Sequence, residues 1–333
     1  MQILIIGAAG MVGRKLTNHL VAKGRLGDRT ISRLILHDVI DPGIPAKASF
    51  TVDTFASDFS DLNEAGKLLA DRPDVIFHLA AIVSGEAEDD FDKGYRVNLT
   101  GTWNLFEKIR ALNVQSGGAY RPRIVFTSST GVFGAPYPTR IGDEFILAPL
   151  TSYGTQKAIG ELLLADYTRK RFFDGIGIRL PTISVRPGKP NRAASGFFSS
   201  IIREPLAGQE AILPVSEAVR HWHASPRSAV GFLIHAATMD GEAVGPRRTF
   251  SMPGVSCTVA EQIEALRSVA GNDAVRLVRR EPDEKIARIV AGWPMDFDPR
   301  RALDFGFSAE TTFDQIIRVH IEDELGSMAS TTR

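Results

Sequence analysis

The sequence predicts an α/β protein, a doubly wound parallel sheet with helices on both faces, followed by a smaller mixed α/β region. Three observations predict it. Short β-rich runs alternate with helical patterns through the first 180 residues. The first run, Met1–Ile6, is continuously apolar, as a strand buried on both faces must be. It ends at Gly7, which opens a glycine-spaced turn leading into a helical pattern.

The elements follow in order. Met11–Lys23 reads as the first helix and Leu34–His37 as the second strand, with a loop around Gly24–Arg29 between them. Ser60–Asp71 is helical, capped by Ser60 or Asp61. Val75–Leu79 is the third strand, Val97–Leu112 a helix and Arg123–Thr127 a strand. Tyr153–Arg171 is a long helix whose basic end, Arg169–Lys170–Arg171, suits a helix C-terminus. Gly177–Leu180 closes the alternation. Then Pro181, Pro187, Gly188 and Pro190 cluster, and the rhythm breaks. Irregular elements continue to about Asp323, with amphipathic helical patterns at Ala260–Val269 and Asp314–Leu325. The expected organisation is a dinucleotide-binding domain over 1–180, a mainly substrate-binding region over 181–325 and a flexible tail over 326–333.

The bulk numbers narrow the function class. The chain has 333 residues, 44% hydrophobic and 23% charged, with Lys+Arg and Asp+Glu both at 39. Zero net charge and the lack of a basic stripe argue against nucleic acid or an anionic membrane as partner. No apolar run approaches the ~20 residues needed to span a bilayer. A single cysteine, Cys257, excludes an internal disulfide and fits a reducing cytoplasm. The Asn98-Leu99-Thr100 sequon reads as coincidence.

Gly7-Ala8-Ala9-Gly10-Met11-Val12-Gly13 joins the first strand to the first helix. Glycines let the backbone approach a pyrophosphate closely, and Met11 and Val12 begin a helix whose free N–H groups face that anion. Asp38 ends the second strand, where a carboxylate accepts hydrogen bonds from the adenosine ribose hydroxyls and repels an added phosphate. One such charge pair at about 4 Å is worth about 4 kcal/mol at ε about 20 before screening. NAD is therefore the expected cofactor. Asp58 and Phe59 are placed at the adenine edge, with a helix cap as the other reading of Asp58.

Tyr153 and Lys157 stand at i and i+4 on one helix face. A free tyrosine titrates near pH 10. An adjacent ammonium favours phenolate and makes it a proton acceptor for an alcohol. Upstream, the strand Arg123–Thr127 runs into Ser128-Ser129-Thr130-Gly131, where a hydroxyl can steady the substrate oxygen.

Taken in order, Gly7/Gly10/Gly13, Asp38, Asp58, His78-Leu79-Ala80-Ala81, Asn98, Ser128-Ser129 and Tyr153/Lys157 resemble an extended short-chain dehydrogenase/reductase, the NAD-dependent epimerase/dehydratase family, over roughly residues 1–235. The resemblance implies a Rossmann-type fold with a small C-terminal domain and a homodimer formed through two helices per subunit. It makes Ser129 the catalytic serine and sets Leu79, Ala80 and Ala81 beside the cofactor. Asn98 becomes a structural residue or part of a proton path behind the site. Pro181, Thr182 and Ile183 line the nicotinamide pocket.

Substrate is read from departures. Many nucleotide-sugar enzymes carry Arg-Tyr-Phe-Asn where this chain has Arg179-Leu180-Pro181-Thr182, and Arg-Asp-Tyr-x-His-Val where it has Arg220-His221-Trp222-His223-Ala224. A smaller anion fits better. Arg186, Lys189 and Arg220 can clamp a carboxylate. Ser84 and Thr130 are further substrate contacts, and Ile82–Glu86 and Ala193–Phe198 the pocket walls. His221 and His223 lack acidic or cysteine partners at ligand spacing, so no metal is expected. Met1–Gly13, Val83–Glu86, Gly131–Gly134 and Pro181–Asn191 resemble the D-erythronate dehydrogenases, which implies NAD-dependent oxidation of the 2-hydroxyl of a small sugar acid. A nucleotide-diphosphate-sugar epimerase or dehydratase with bound NAD is the alternative, and a non-catalytic NAD(P)-sensing protein is the alternative of another class.

Overall fold

A computed structural model describes residues 1–188 and 194–326, with the side chain of Leu62 left aside. The chain divides into two compact units. The first comprises 1–132, 149–179 and 230–250, the second 133–148, 180–229 and 251–333. The expected single cut at residue 180 differs from this in two segments. Residues 230–250 join the first unit because Thr249–Ser251 adds a strand to the edge of its sheet, and residues 133–148 join the second because Ile141–Gly142 pairs with Phe297–Asp298.

The sheet of the first unit has seven strands. From one edge to the other they are Thr249–Ser251, Asp174–Leu180, Arg123–Ser129, Val75–His78, Gln2–Ile6, Arg33–Asp38 and Thr51–Ala56. The pairings from Thr51–Ala56 across to Arg123–Ser129 are parallel. Strand order reverses between Gln2–Ile6 and Val75–His78, and ligands of doubly wound sheets bind outside the carboxyl ends of the strands at such a point. Ile3, Leu4, Ile5 and Ile6 are all fully buried, so helices cover both faces. Leu4, Ile6, Ile35, Ile76, Ile124 and Phe126 form one core with Leu105, Phe106, Ile109 and Leu164 from two covering helices.

Four local differences from the sequence expectation have physical reasons. Thr51–Ala56 is an unforeseen edge strand whose alternation of half-exposed residues and Asp53 carries no apolar run. The Gly24–Arg29 loop is a small hairpin, Arg25–Leu26 with Arg29–Thr30. The helix expected at Ser60–Asp71 is shorter, Leu62–Leu68, capped by Asp61 onto the Asn63 N–H at 2.8 Å. The helix expected at Val97–Leu112 begins as a π turn, Tyr95–Gly101, before Thr102–Gln115 becomes α-helical.

The second unit is mixed. Thr182–Ile183 pairs parallel with Arg220–Ala224, which pairs antiparallel with Val255–Thr258. Phe198, Ile201, Ile202, Leu213, Ile263, Leu266, Ile316 and Ile317 make its own buried core. Ala260–Val269 lies in the helix Val259–Arg276, opened by a capping box of Thr258 and Glu261. Asp314–Leu325 becomes the helix Phe313–His320 and a π turn, Ile321–Leu325. Among the described residues no helix is long and apolar enough to cross a membrane. Lys189 and Pro190–Ala193 lie outside the described residues, as does the tail after Gly326.

Candidate active site

Three strand ends converge at the reversal point. Gly7 and Ala8 donate their N–H groups to His37 O at 2.8 and 2.9 Å, and Leu79 and Ala80 donate theirs to Ile6 O at 2.8 and 2.9 Å. Gly7 has φ +95°, and a Cβ there would sit 2.7 Å from Ala80 N. A Cβ on Gly13 would sit 2.2 Å from Gly7 O. Gly10 caps the helix Met11–Lys23 with no side-chain hydrogen bond and no acid in the first turn. Its leading N–H groups therefore stay available to an anion, and the absent side chains leave the cradle that a pyrophosphate needs. Asp38 closes this cradle, accepting from Ala9 N at 2.9 Å and from Val39 N at 2.7 Å.

Asp58 and Phe59 are placed differently from each other. Asp58 accepts from Arg96 at 2.6 Å and from the Ser60 N–H and hydroxyl. Burial opposes its ionisation, and the Ser60 and Arg96 bonds outweigh that and hold its carboxyl below the usual range. It is not the helix cap, since Asp61 is. The Phe59 ring is buried against His78 in the core.

The helix Ser152–Arg169 carries Tyr153 and Lys157. Thr151 caps it, its Oγ1 accepting from Gly154 N at 3.0 Å. A Cβ on Gly154 would fall 2.1 Å from Gly131 O, so only glycine lets the helix start meet the turn after the strand Arg123–Ser129. Lys157 is 2% exposed. Its Nζ donates to Thr127 O at 2.9 Å and lies 4.9 Å from the Phe126 ring centroid and 5.8 Å from that of Tyr153. Tyr153 and Ser129 both flank Gly131, where a Cβ would lie 3.4 Å from Ser129 Oγ and 3.9 Å from Tyr153 Cδ1, and Ser129 Oγ accepts from Gly131 N at 3.1 Å.

Neighbouring strand residues point to opposite faces, and the two serines separate accordingly. Ser128 turns to Glu161, which accepts its hydroxyl at 2.5 Å and meets Arg179 at 2.7 Å. Ser129 turns to Tyr153. Thr130 is buried in a 3-10 turn, and Ser84 starts a short helix, Ser84–Asp89. Asn98, 1% exposed, accepts from Ile82 N at 2.9 Å and donates to Ile82 O at 3.1 Å and to Gln156 at 2.8 Å. The π turn aims this amide at both the Ile82 loop and the catalytic helix. The acceptor asparagine of the sequon is thus buried, although Thr100 is exposed.

The electrostatics correct one expectation. Burial pushes the Tyr153 phenol up to about 12, with the Ser129 hydrogen bond pulling the other way. Burial pulls Lys157 down to about 8, with Glu161 opposing. Desolvation thus dominates, and the phenol of the ligand-free chain is not poised near neutrality. Thr127, Gln156, Glu161 and Arg179 were not singled out from sequence. The signal for Glu161 was present, since 153, 157 and 161 follow the i, i+4, i+8 spacing of one helix face.

In the second unit, Thr182 and Ile183 lie in the small sheet next to buried Pro181. The Pro294 carbonyl can only accept, so His221 Nδ1 carries the proton in their 3.1 Å contact. Burial lowers His221 to about 4, so the ring is neutral and its Nε2 accepts from the Thr182 hydroxyl at 2.7 Å. His223 is engaged by Ser184 and Gln262. Among the described residues no group of three or more His, Cys, Asp or Glu gathers as a metal site. Arg220 pairs with Glu261 at 3.1 Å. Arg186 donates to Ser195 at 2.6 Å and meets no acid among the described residues. Lys189, the third member of the expected clamp, lies outside them, as does Ala193 at the start of the expected wall.

Comparison with known proteins agrees with this layout. The chain matches the NAD dependent epimerase/dehydratase family over residues 3–232. It is 45% identical to a D-erythronate dehydrogenase of Cupriavidus necator, covering 97% of this chain and 98% of that one. It is 40% identical to a D-erythronate dehydrogenase of Haemophilus influenzae, covering 98% and 100%. A crystal structure described as a nucleoside-diphosphate-sugar epimerase from Agrobacterium tumefaciens superimposes with a TM-score of 0.96, at 66% identity over 98% of this chain and 95% of that one. NAD is the cofactor that the family's description names, and the cradle of Gly7, Gly10 and Gly13 fits its pyrophosphate.

Proposed function

Because the chain belongs to the NAD dependent epimerase/dehydratase family, we propose that it is a dehydrogenase that oxidises the 2-hydroxyl of a small sugar acid, D-erythronate or a close relative, to the 2-oxo acid. The observation that carries the chemistry is Tyr153 and Ser129 side by side at Gly131 with Lys157 held one helical turn on. Bound NAD supplies the two-electron acceptor for the hydrogen on C2. Gly7, Gly10, Gly13 and the first turn at Met11 and Val12 would hold its pyrophosphate, and Asp38 its adenosine ribose. Leu79, Ala80 and Ala81 would flank it, Asp58 would meet the adenine edge, and Pro181, Thr182 and Ile183 would meet the nicotinamide.

The protein's part is to move one proton. Tyr153 takes it from the substrate hydroxyl, and Ser129 orients that oxygen. Lys157, anchored on Thr127 O, keeps a positive charge beside the forming phenolate. Asn98 and Gln156 hold the Ile82 loop against the catalytic helix. Ser84 and Thr130 belong to the substrate's surroundings. The expected compartment is the cytoplasm. The expected assembly is a homodimer through the helices Thr102–Gln115 and Ser152–Arg169, on which Trp103 and Leu162 remain exposed.

Absorbance of NADH is the test, with a panel of four- to six-carbon sugar acids, NAD and NADP. NADH formed from a 2-hydroxy acid with NADP poor is the expected result. The alternative, an epimerase or dehydratase of a nucleotide-diphosphate sugar, is favoured by the description of the Agrobacterium structure. Silence on every acid together with a changed nucleotide sugar would establish it. A sensing role would tolerate loss of Tyr153, Lys157 or Ser129, and this chain keeps all three.

A further inference from the structure

A cation taken out of water normally brings an acid with it, because an uncompensated buried charge is costly. The partly buried arginines of this chain mostly obey. Arg179 meets Glu161 and Arg203 meets Glu204 at 2.7 and 2.5 Å, and Arg248 pairs with Asp174. Arg186 does not. Its Nη2 donates to Ser195 Oγ at 2.6 Å, and its Nε is enclosed with no partner among the described residues. No described carboxylate lies within ion-pair distance of it, and the next charge it feels is the cation of Arg203, whose Nη1 donates to Arg186 O at 2.6 Å. The undescribed segments 189–193 and 327–333 contain no Asp or Glu to supply one.

We infer that Arg186 is the specificity-determining anion receptor of the second unit, and that the group it takes is the single carboxylate of a small hydroxy acid. The inference rests on the dehydrogenase reading above and adds which residue recognises the acid. Chemistry sets the class of anion. A guanidinium fork donates from one edge to the two oxygens of a carboxylate side by side. Ser195 occupies Nη2, and the neighbouring Nε, enclosed and unpartnered among the described residues, is the donor that a carboxylate would satisfy. Among the described residues around Arg186 one positive charge is uncompensated, and it matches the one negative charge of a carboxylate. A diphosphate needs more, and Arg203 and Arg220 are committed to Glu204 and Glu261.

The experiment compares wild type, Arg186→Met and Arg186→Lys in the full-length protein with NAD. KM and kcat are measured for the sugar acid and for its uncharged amide, and thermal unfolding is followed for each protein. A charge-assisted fork should be worth about 10- to 150-fold in KM for the acid, little in kcat, and almost nothing for the amide. Arg186→Met should therefore collapse the preference for acid over amide towards one, with a melting temperature equal to or above wild type. Arg186→Lys should fall between. A purely structural arginine would lower the melting temperature and weaken acid and amide alike, and that result overturns the inference.

An unchanged acid-to-amide ratio in an active Arg186→Met protein overturns it too, and leaves the dehydrogenase reading standing. If wild type turns over no acid, that reading fails first. Calorimetric titration with D-erythronate and with a UDP-sugar then decides Arg186. Arg186-dependent binding of the acid sustains the inference; its absence, or Arg186-dependent binding of the UDP-sugar alone, ends it.

Discussion

Around the catalytic helix of the first unit, buried charge is closed. Glu161, 4% exposed, is met by both Nε and Nη2 of Arg179 and by the Ser128 hydroxyl, and Lys157 rests on a carbonyl and an aromatic face. Around Arg186 in the second unit, charge is left open, answered by the Ser195 hydroxyl and by no acid among the described residues. The two regions do different work. The first must hold a proton acceptor in one place through every turnover, so its charges are balanced by the protein itself. The second has an imbalance that only a bound anion removes, so its affinity for that anion is built from its own instability.

The largest test removes the chemistry and leaves the open charge. Tyr153→Phe should lower kcat by about 100- to 10,000-fold, the range of positioned acid–base catalysis. Acid binding by calorimetry and NAD binding by fluorescence should stay within about twofold of wild type. Loss of acid binding would mean that the phenol, and not the second unit, supplies most of the recognition. Next is the stability contrast between the two arginines. Arg179→Met strands the buried Glu161 and should cost about 3–5 kcal/mol in denaturant unfolding, whereas Arg186→Met strands nothing. Equal destabilisation by both would erase the distinction.

A smaller effect reads the cofactor end. Asp38 holds Ala9 N and Val39 N and contributes the negative charge beside the glycine cradle. Asp38→Ser should shift the ratio of kcat/KM for NAD over NADP toward NADP by about tenfold, a fraction of the Coulomb energy of that pair. No shift would mean that the ribose site lies elsewhere.

How far this was readable depended on how local each signal is. Gly7 and Gly13 announce themselves because a Cβ at either would strike backbone, a constraint that fixes residue type whatever surrounds it. Tyr153 and Lys157 share a helix face, so their proximity follows from spacing alone. Ser129 was separable from Ser128 only by the alternation of the strand they end. The edge strand Thr51–Ala56 was invisible, because its half-exposed residues carry no apolar pattern and its place is set by pairing with Arg33–Asp38. Segments 133–148 and 230–250 could not be assigned from sequence, since what binds each to its unit is pairing with strands far along the chain. The open charge at Arg186 is tertiary information of the same kind. Sequence proposed three cations alike, and only packing tells the one committed to Glu261 from the one without an acid.

The finest test concerns the closed region itself. The phenol of Tyr153 lies near 12 and the ammonium of Lys157 near 8, each displaced first by burial. Below pH 8 each unit of pH raises the phenolate fraction tenfold while the lysine keeps its charge, so kcat/KM for oxidation should climb from pH 6 to 8. Above 8 the lysine becomes neutral and withdraws its support, so the slope should fall although the phenol is still far from titrated. Glu161 stabilises the ammonium, and Glu161→Gln should move that break to lower pH by a fraction of a unit to one unit. A profile already flat below pH 7 would show that binding of cofactor and substrate draws the phenol down past the burial that raises it in the free protein. A break that stays put in Glu161→Gln would show that the titrating group is not Lys157.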